Sequence, residues 1–200
     1  IKANGYGHGA SAVSKAITEA GATWLGVARM EEAINLRQAG IRAEIMVLGY
    51  TSPMRIPDAI MHRIHVAIYD VPMAQTYAEF AKKVPGQLQA HLKVETGMGR
   101  LGMPVHQVPD FLANIAKSDD IDITGIFTHF ARADEPNAGA VEDQLRIFNN
   151  LLEKLKGLRL IPKVVHAANS AAVLNFPEAH FDLVRPGITL FGLNPSPDSQ

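Results

Sequence analysis

The 200-residue chain has no cysteine and a single tryptophan. The first absence excludes a disulfide framework and any thiolate metal site, without separating one compartment from another. Long apolar runs are missing too. No stretch approaches the roughly 20 residues that cross a bilayer, and the opening IKANGYGH lacks a charged region followed by an apolar one, so a cytoplasmic protein without a membrane partner is expected. Charge of one sign is also lacking: 19 Lys and Arg against 20 Asp and Glu leave a net charge of −1. The basic residues are scattered, which argues against nucleic acid as a partner. No Ser/Pro-rich linker, low-complexity tract or charge run marks a boundary, so residues 1–200 read as one domain. An isoleucine at the first position reads as the start of a fragment or processed chain. What is present, 47% apolar and 20% charged residues, is a globular composition.

Strand-like and helix-like segments alternate. WLGVA, EIMVLG, IHVAIY, LQAHLKV, ITGIFTHF, KVVHAA and FDLVR are β-rich, and MEEAINLRQAG, PMRIPDAIMHR, VPMAQTYAEFAKKV, HQVPDFLANIAKS, AVEDQLRIFNNLLEKLKG and SAAVLNFPEAH lie between them. In the clearest helix, Val141, Leu145, Phe148, Leu152 and Leu155 form one apolar stripe closed by Lys-Gly. The repeated order predicts right-handed crossovers and a parallel sheet. Seven strands follow the start, and Ile1-Lys2 would be the tip of another. Eight parallel strands point to a (β/α)8 TIM barrel, although a doubly wound sheet has the same local pattern.

In both architectures chemistry gathers at the carboxyl ends of the strands. Lys2 and Tyr6, Lys93 and Arg100, His129, then His166, Asn169 and Ser170, and finally Arg185 and Gly187 fall there. HAANSAA and RPGITLFG suit a phosphate. In the first, Ser170 stands where a strand gives way to a helix; in the second, Gly187 leaves room for an anion to approach. GMGRLG matches a dinucleotide-binding pattern, but Pro104 and Pro109 follow where a helix should open, so a nicotinamide-dependent oxidoreductase is a minor alternative. His62 and His65 in HRIH precede a strand, where solvation is favoured over metal binding, and no metal site is expected. The dispersed Met30, Met46, Met54, Met61, Met73 and Met103 read as core gap-fillers. His8 and His91 have no assigned chemistry.

KANGYGHG, LKVETGMGRLG, IFTHFARAD, HAANSAA and VRPGITLFG together resemble, in order, segments of the bacterial alanine racemase family, from the first residue to near Leu193. The resemblance implies a nearly complete barrel lacking most of its first strand and the family's C-terminal β domain. It also implies pyridoxal 5'-phosphate as cofactor and interconversion of L- and D-alanine by two bases, for peptidoglycan, in a head-to-tail homodimer. Lys2 resembles the lysine that forms the aldimine and then serves as one base. Tyr6, Ser170, Gly187 and Ile188 resemble phosphate contacts, with Asn169 beside them. Arg185 resembles the partner of the pyridine nitrogen, supported by His129 and His166. Arg100 resembles a contact to the cofactor's phenolic oxygen and the substrate carboxylate, and Lys93 a lysine that is carbamylated in some members.

Gly5 departs from the family's usual alanine, and Glu95 from a common aspartate. The family's opposing base is a tyrosine on the C-terminal domain, reaching the site from the partner subunit. None of Tyr50, Tyr69 and Tyr77 matches it, and the chain closes at NPSPDSQ, so the fragment alone is expected to be nearly inactive. A racemase for another amino acid, or a non-catalytic cofactor-binding barrel, remains an alternative.

Overall fold

The computed structural model describes residues 1–135 and 139–195; of the closing NPSPDSQ, residues 196–200 lie outside the described residues. Its contacts divide the chain into two compact units, Ile1–His91 with Ser118–Asp122, and Leu92–Lys117 with Ile123 onward. The first holds α1 (Lys2–Tyr6), α2 (Ala10–Glu19), β1 (Trp24–Val27), α3 (Met30–Gln38), β2 (Glu44–Val47), α4 (Ile56–Met61), β3 (Ile64–Ile68) and α5 (Val71–Ala81). β4 (Leu88–Glu95) begins in this unit and ends in the second, which continues with β5 (Met103–Pro104) and α6 (Val108–Ile115). β6 (Ile121–Phe127), α7 (Gly139–Gly157), β7 (Val164–His166) and α8 (Ser170–Asn175) complete it. Strand order is β1-β2-β3-β4-β6-β7, with β5 on β4.

The β1–β2, β2–β3 and β6–β7 pairings are parallel. Trp24 to Val27 pair with Glu44 to Val47, Ile45 to Val47 with Ile64 to Val66, and Gly125 to Phe127 with Val164 to His166. β3 is buried at every position, as a parallel strand covered on both faces must be, which explains why IHVAI is continuously apolar apart from its histidine. α7 buries the five stripe residues read from its sequence, and Lys154 and Lys156 stand in its last turn, where cations complement the helix dipole. α5 starts on Asp70, whose carboxylate accepts the Met73 N–H at 2.7 Å.

Four expectations need correction. Ile1-Lys2 is not the tip of a strand: Ile1 N donates to Gly26 O at 3.0 Å, beside β1, but the chain turns into α1 at once. FDLVR forms no strand, only an isolated parallel bridge from Leu183 to His166. Met54 and Met61 are exposed, whereas Met30, Met46, Met73 and Met103 are buried as expected. His65 is not solvated. It lies within β3, 4% exposed, between the Trp24 ring of β1 at 4.7 Å and the His91 ring of β4 at 5.3 Å. α2 is an element the motif reading does not assign.

Burial holds the His65 pKa below its ordinary value, against the opposing pull of Glu44, whose Oε2 is 3.3 Å from Nε2. The folded protein therefore resists a proton that the unfolded chain accepts below about pH 6.5. Stability is full above that pH and is lost as pH falls through the depressed folded value. Denaturation at pH 7 and pH 5 should show this loss, with a slope of up to about 1.4 kcal/mol per pH unit for one proton. His65→Gln should flatten it; an unchanged slope in the variant would assign the acid sensitivity to another group.

Candidate active site

The first chemistry-bearing cluster is the turn that carries Lys2. Ala3, Asn4, Gly5 and Tyr6 have φ of 53°, 55°, 63° and 53°, so α1 is a single left-handed turn. L-residues disfavour that hand by about 1–2 kcal/mol each. Surrounding bonds must hold it. Gly5 N donates to Ile1 O at 2.9 Å and Gly7 N to Ala3 O at 3.0 Å, while Asn4 accepts Gly9 N on its carbonyl and Ala10 N on its side-chain oxygen, both at 2.9 Å. Glycine at position 5 eases the turn, since a Cβ there would stand 3.3 Å from the Ala10 backbone. The departure from alanine thus has a local rationale.

Lys2 and Tyr6 project from this turn, both exposed, with the lysine Nζ 5.8 Å from the phenol ring centroid. Burial pushes the Tyr6 phenol up, keeping it a hydrogen-bond donor. Glu32, on α3, binds the turn from outside: Oε1 accepts the Ala3 N–H at 2.6 Å, and Oε2 accepts those of Ala28 and Arg29 at 2.8 and 3.0 Å. Burial would raise its pKa, but these three donors hold it below the usual carboxylate range.

The second cluster lies in the second unit around Arg185. Its Nη1 stands 2.5 Å from His166 Nδ1, and its Nη2 donates to the carbonyls of Thr128 and Ala167 at 2.8 Å each and stands 3.4 Å from His129 Nδ1. A guanidinium has no acceptor, so in the short contact to His166 the Nδ1 atom accepts; the two Nη2 hydrogens go to the carbonyls, and His129 stands beside them. No carboxylate is among these partners. Desolvation accordingly lowers the Arg185 pKa to about 10, which still leaves it charged at neutral pH. The Phe127 ring stacks on His166 at 4.7 Å, with Arg185 Cζ 5.4 Å and Lys93 Nζ 5.8 Å from its centroid.

Lys93 is 5% exposed on β4. Burial lowers its pKa, and the cations Arg100 and Arg185 push the same way. Arg100, exposed, sits on GMGRLG, which Glu95 clasps by accepting the N–H groups of Gly97, Gly99 and Arg100 at 2.5, 2.9 and 3.3 Å. The segment leads into β5, and the next α-helix begins only at Val108, so it does not present a helix N-terminus as a dinucleotide fingerprint must.

Ser170 and Gly187 meet: the buried Ser170 Oγ accepts the Gly187 N–H at 2.8 Å. Asn169 caps α8, accepting Ala172 N at 3.1 Å, and Ile188 opens a 3-10 turn after Gly187. Within the second unit, the fold thus assembles Lys93, His129, His166 and Arg185, and joins Ser170 to Gly187.

Sequence reasoning missed Glu32, Gln144 and the Thr96–Thr128 pair. Gln144, buried on α7, donates to Thr96 Oγ1 and His129 O at 3.1 Å each and accepts Ala131 N at 2.9 Å; Thr96 and Thr128 hydroxyls are 2.7 Å apart. Glu32 had a signal, a carboxylate three residues into a helix. Gln144 had a weaker one, an amide interrupting the apolar stripe. Among the described residues no group of three or more His, Cys, Asp or Glu could hold a metal, and no helix is long and apolar enough to cross a membrane.

Comparison with known proteins bears on what these clusters serve. Residues 1–195 match the family described as alanine racemase, N-terminal domain. The chain belongs to that family. It is 43% identical over 197 residues to an alanine racemase of Symbiobacterium thermophilum, and 39% to one of Methanococcus maripaludis. Each alignment covers 98% of the chain but 52% and 53% of the relative, so the chain spans about half the length of these curated relatives. The solved alanine racemase of Clostridium difficile 630 in complex with cycloserine superposes with a TM-score of 0.96 at 36% identity, over 100% of this chain and 55% of that one. The Bacillus anthracis enzyme with bound L-Ala-P gives 0.91 at 36%, over 98% and 51%. The expected TIM-barrel fold is therefore the right one.

Proposed function

We propose that the intact protein racemises alanine with pyridoxal 5'-phosphate, and that residues 1–200 are its cofactor-binding barrel. The observation that carries this reading is the Arg185 cluster: a charged guanidinium set against two imidazoles, without a carboxylate partner among the described residues, beside the Ser170–Gly187 contact. Among the described residues none of the Arg185 hydrogen bonds uses Nε, which suits a ring nitrogen that can only accept. The residues of the second unit fit the group. Ser170, Gly187 and Ile188 would hold its phosphate with Asn169 beside them, and Arg185 its ring nitrogen; the family resemblance adds Tyr6 to the phosphate and Lys2 to the carbonyl carbon. When bound, the cofactor supplies an electron-withdrawing ring that stabilises negative charge at the alanine Cα.

Lys2 would take or return the proton at Cα on one face. The opposing face belongs to a tyrosine outside this chain, as the family resemblance implies. Arg185 would donate a hydrogen bond to the ring nitrogen without giving up its proton, which would limit the charge the ring withdraws and favour return of the proton to Cα over side reactions. Arg100 receives the substrate carboxylate. Lys93, whose burial and neighbouring cations favour the neutral amine, is suited to add CO2 at its nitrogen and lose one N–H proton to water, and the resulting carbamate anion would orient Arg100. A homodimer, a cytoplasmic location and supply of D-alanine to peptidoglycan follow from the resemblance alone.

Borohydride reduction of the cofactor-loaded intact protein, followed by peptide mapping, should place the label on Lys2, and the protein should racemise alanine faster than other amino acids. Label elsewhere refutes the anchoring role; preference for another amino acid refutes the substrate. Intact mass after gentle preparation should carry one added CO2 per chain, and its absence removes the carbamate.

A further inference from the structure

We propose that Glu32 is a positioning residue for Lys2, its carboxylate pinning the peptide that follows the lysine and so fixing the turn that aims it. The inference rests on the reading of Lys2 as the anchoring lysine. Four consecutive residues in the left-handed region persist only where their surroundings over-determine them. The bonds inside the turn use the N–H groups of Gly5 and Gly7, and those around Asn4 fix its far end. The N–H next to Lys2, that of Ala3, goes to Glu32 Oε1 at 2.6 Å.

The second oxygen of the same carboxylate takes the N–H groups of Ala28, just past β1, and Arg29, at the start of α3. One side chain thus ties the lysine's peptide to a strand end and a helix start, both rigid elements. The task needs a carboxylate. Three donors arrive on two sides of the group, and a glutamine, with one acceptor oxygen, satisfies one side while turning N–H toward the other. Charge-assisted bonds of this kind are about twice as strong as neutral ones.

The test compares the intact protein with Glu32→Gln and Glu32→Ala, the glutamine variant guarding against loss of the fold. Amide exchange at Ala3, measured without cofactor, should quicken about tenfold or more in both variants, as loss of a charge-assisted bond requires. With pyridoxal 5'-phosphate and borohydride, at a temperature where circular dichroism shows each variant folded, the share of label on Lys2 relative to the other lysines should fall by a similar factor. Unchanged exchange at Ala3, or an unchanged label distribution with wild-type protein labelled at Lys2, overturns the proposal. If wild-type protein carries no label at Lys2, the anchoring role fails and with it the positioning of that lysine; quickened exchange then leaves Glu32 only a clamp on the turn.

Discussion

Lys2→Ala in the intact protein should lower alanine racemisation about 10³-fold or more while leaving the melting temperature almost unchanged. The two halves of this expectation have separate causes. A positioned acid–base group is worth roughly 10²–10⁴ in rate, and a covalent anchor adds to that. Stability is spared because the side chain is exposed and the left-handed turn is held by backbone groups and by Glu32. An exposed substitution of this kind stays within about 0.5 kcal/mol. Lys2→Arg separates charge from chemistry: it keeps the cation near the Tyr6 ring but supplies no neutral amine at pH 7. Both variants should therefore be equally inactive. Turnover within a few-fold of wild type in either would remove Lys2 from the reaction.

The strands and helices were legible where burial repeats along the chain. WLGVA, EIMVLG and IHVAIY are buried parallel strands whose apolar residues announce them, and α7 shows its stripe because one face meets the core. The left-handed turn was not legible as such. KANGYGHG announces unusual chemistry, yet three of its six positive-φ residues carry a side chain, so only the surrounding bonds reveal the hand. His65 escaped for a related reason: a histidine at the start of a strand is buried or solvated according to the register of its neighbours, which is a tertiary fact.

The motifs located the residues that would touch a ligand, and passed over those that hold them. Glu32, Glu95 and Gln144 each satisfy two or more backbone groups left over by a loop, and which groups are left over is decided only when the loop is folded. Glu95 illustrates the point. In the sequence it is a departure from aspartate; in the fold its longer side chain spans three amides and shapes GMGRLG around Arg100.

That segment also sets the second large effect, a loss of about 3 kcal/mol or more of stability in Gly102→Ala. Gly102 has φ of +152°, and a Cβ built there would stand 2.5 Å from Glu95 N, 2.8 Å from the Val94 carbonyl carbon and 2.9 Å from Glu95 Cα. These are backbone atoms of β4, and they cannot step aside as a flexible side chain could. Relief would require pulling β5 away from β4, breaking the Val94–Met103 and Glu95–Pro104 pairing and shifting the Glu95 carboxylate that clasps the loop. At about 2–4 °C per kcal/mol for a chain of this size, the melting temperature should drop by roughly 6–12 °C. Gly99→Ala is the matched control: its φ is +67°, but nothing lies within 4 Å of the added Cβ, so only the backbone preference of about 1–2 kcal/mol is lost. Equal losses in the two variants would mean that conformation rather than contact with β4 demands glycine at position 102. A larger loss at 102, together with a higher KM for alanine as Arg100 is displaced, would tie the packing of one glycine against a strand to the capture of the substrate carboxylate.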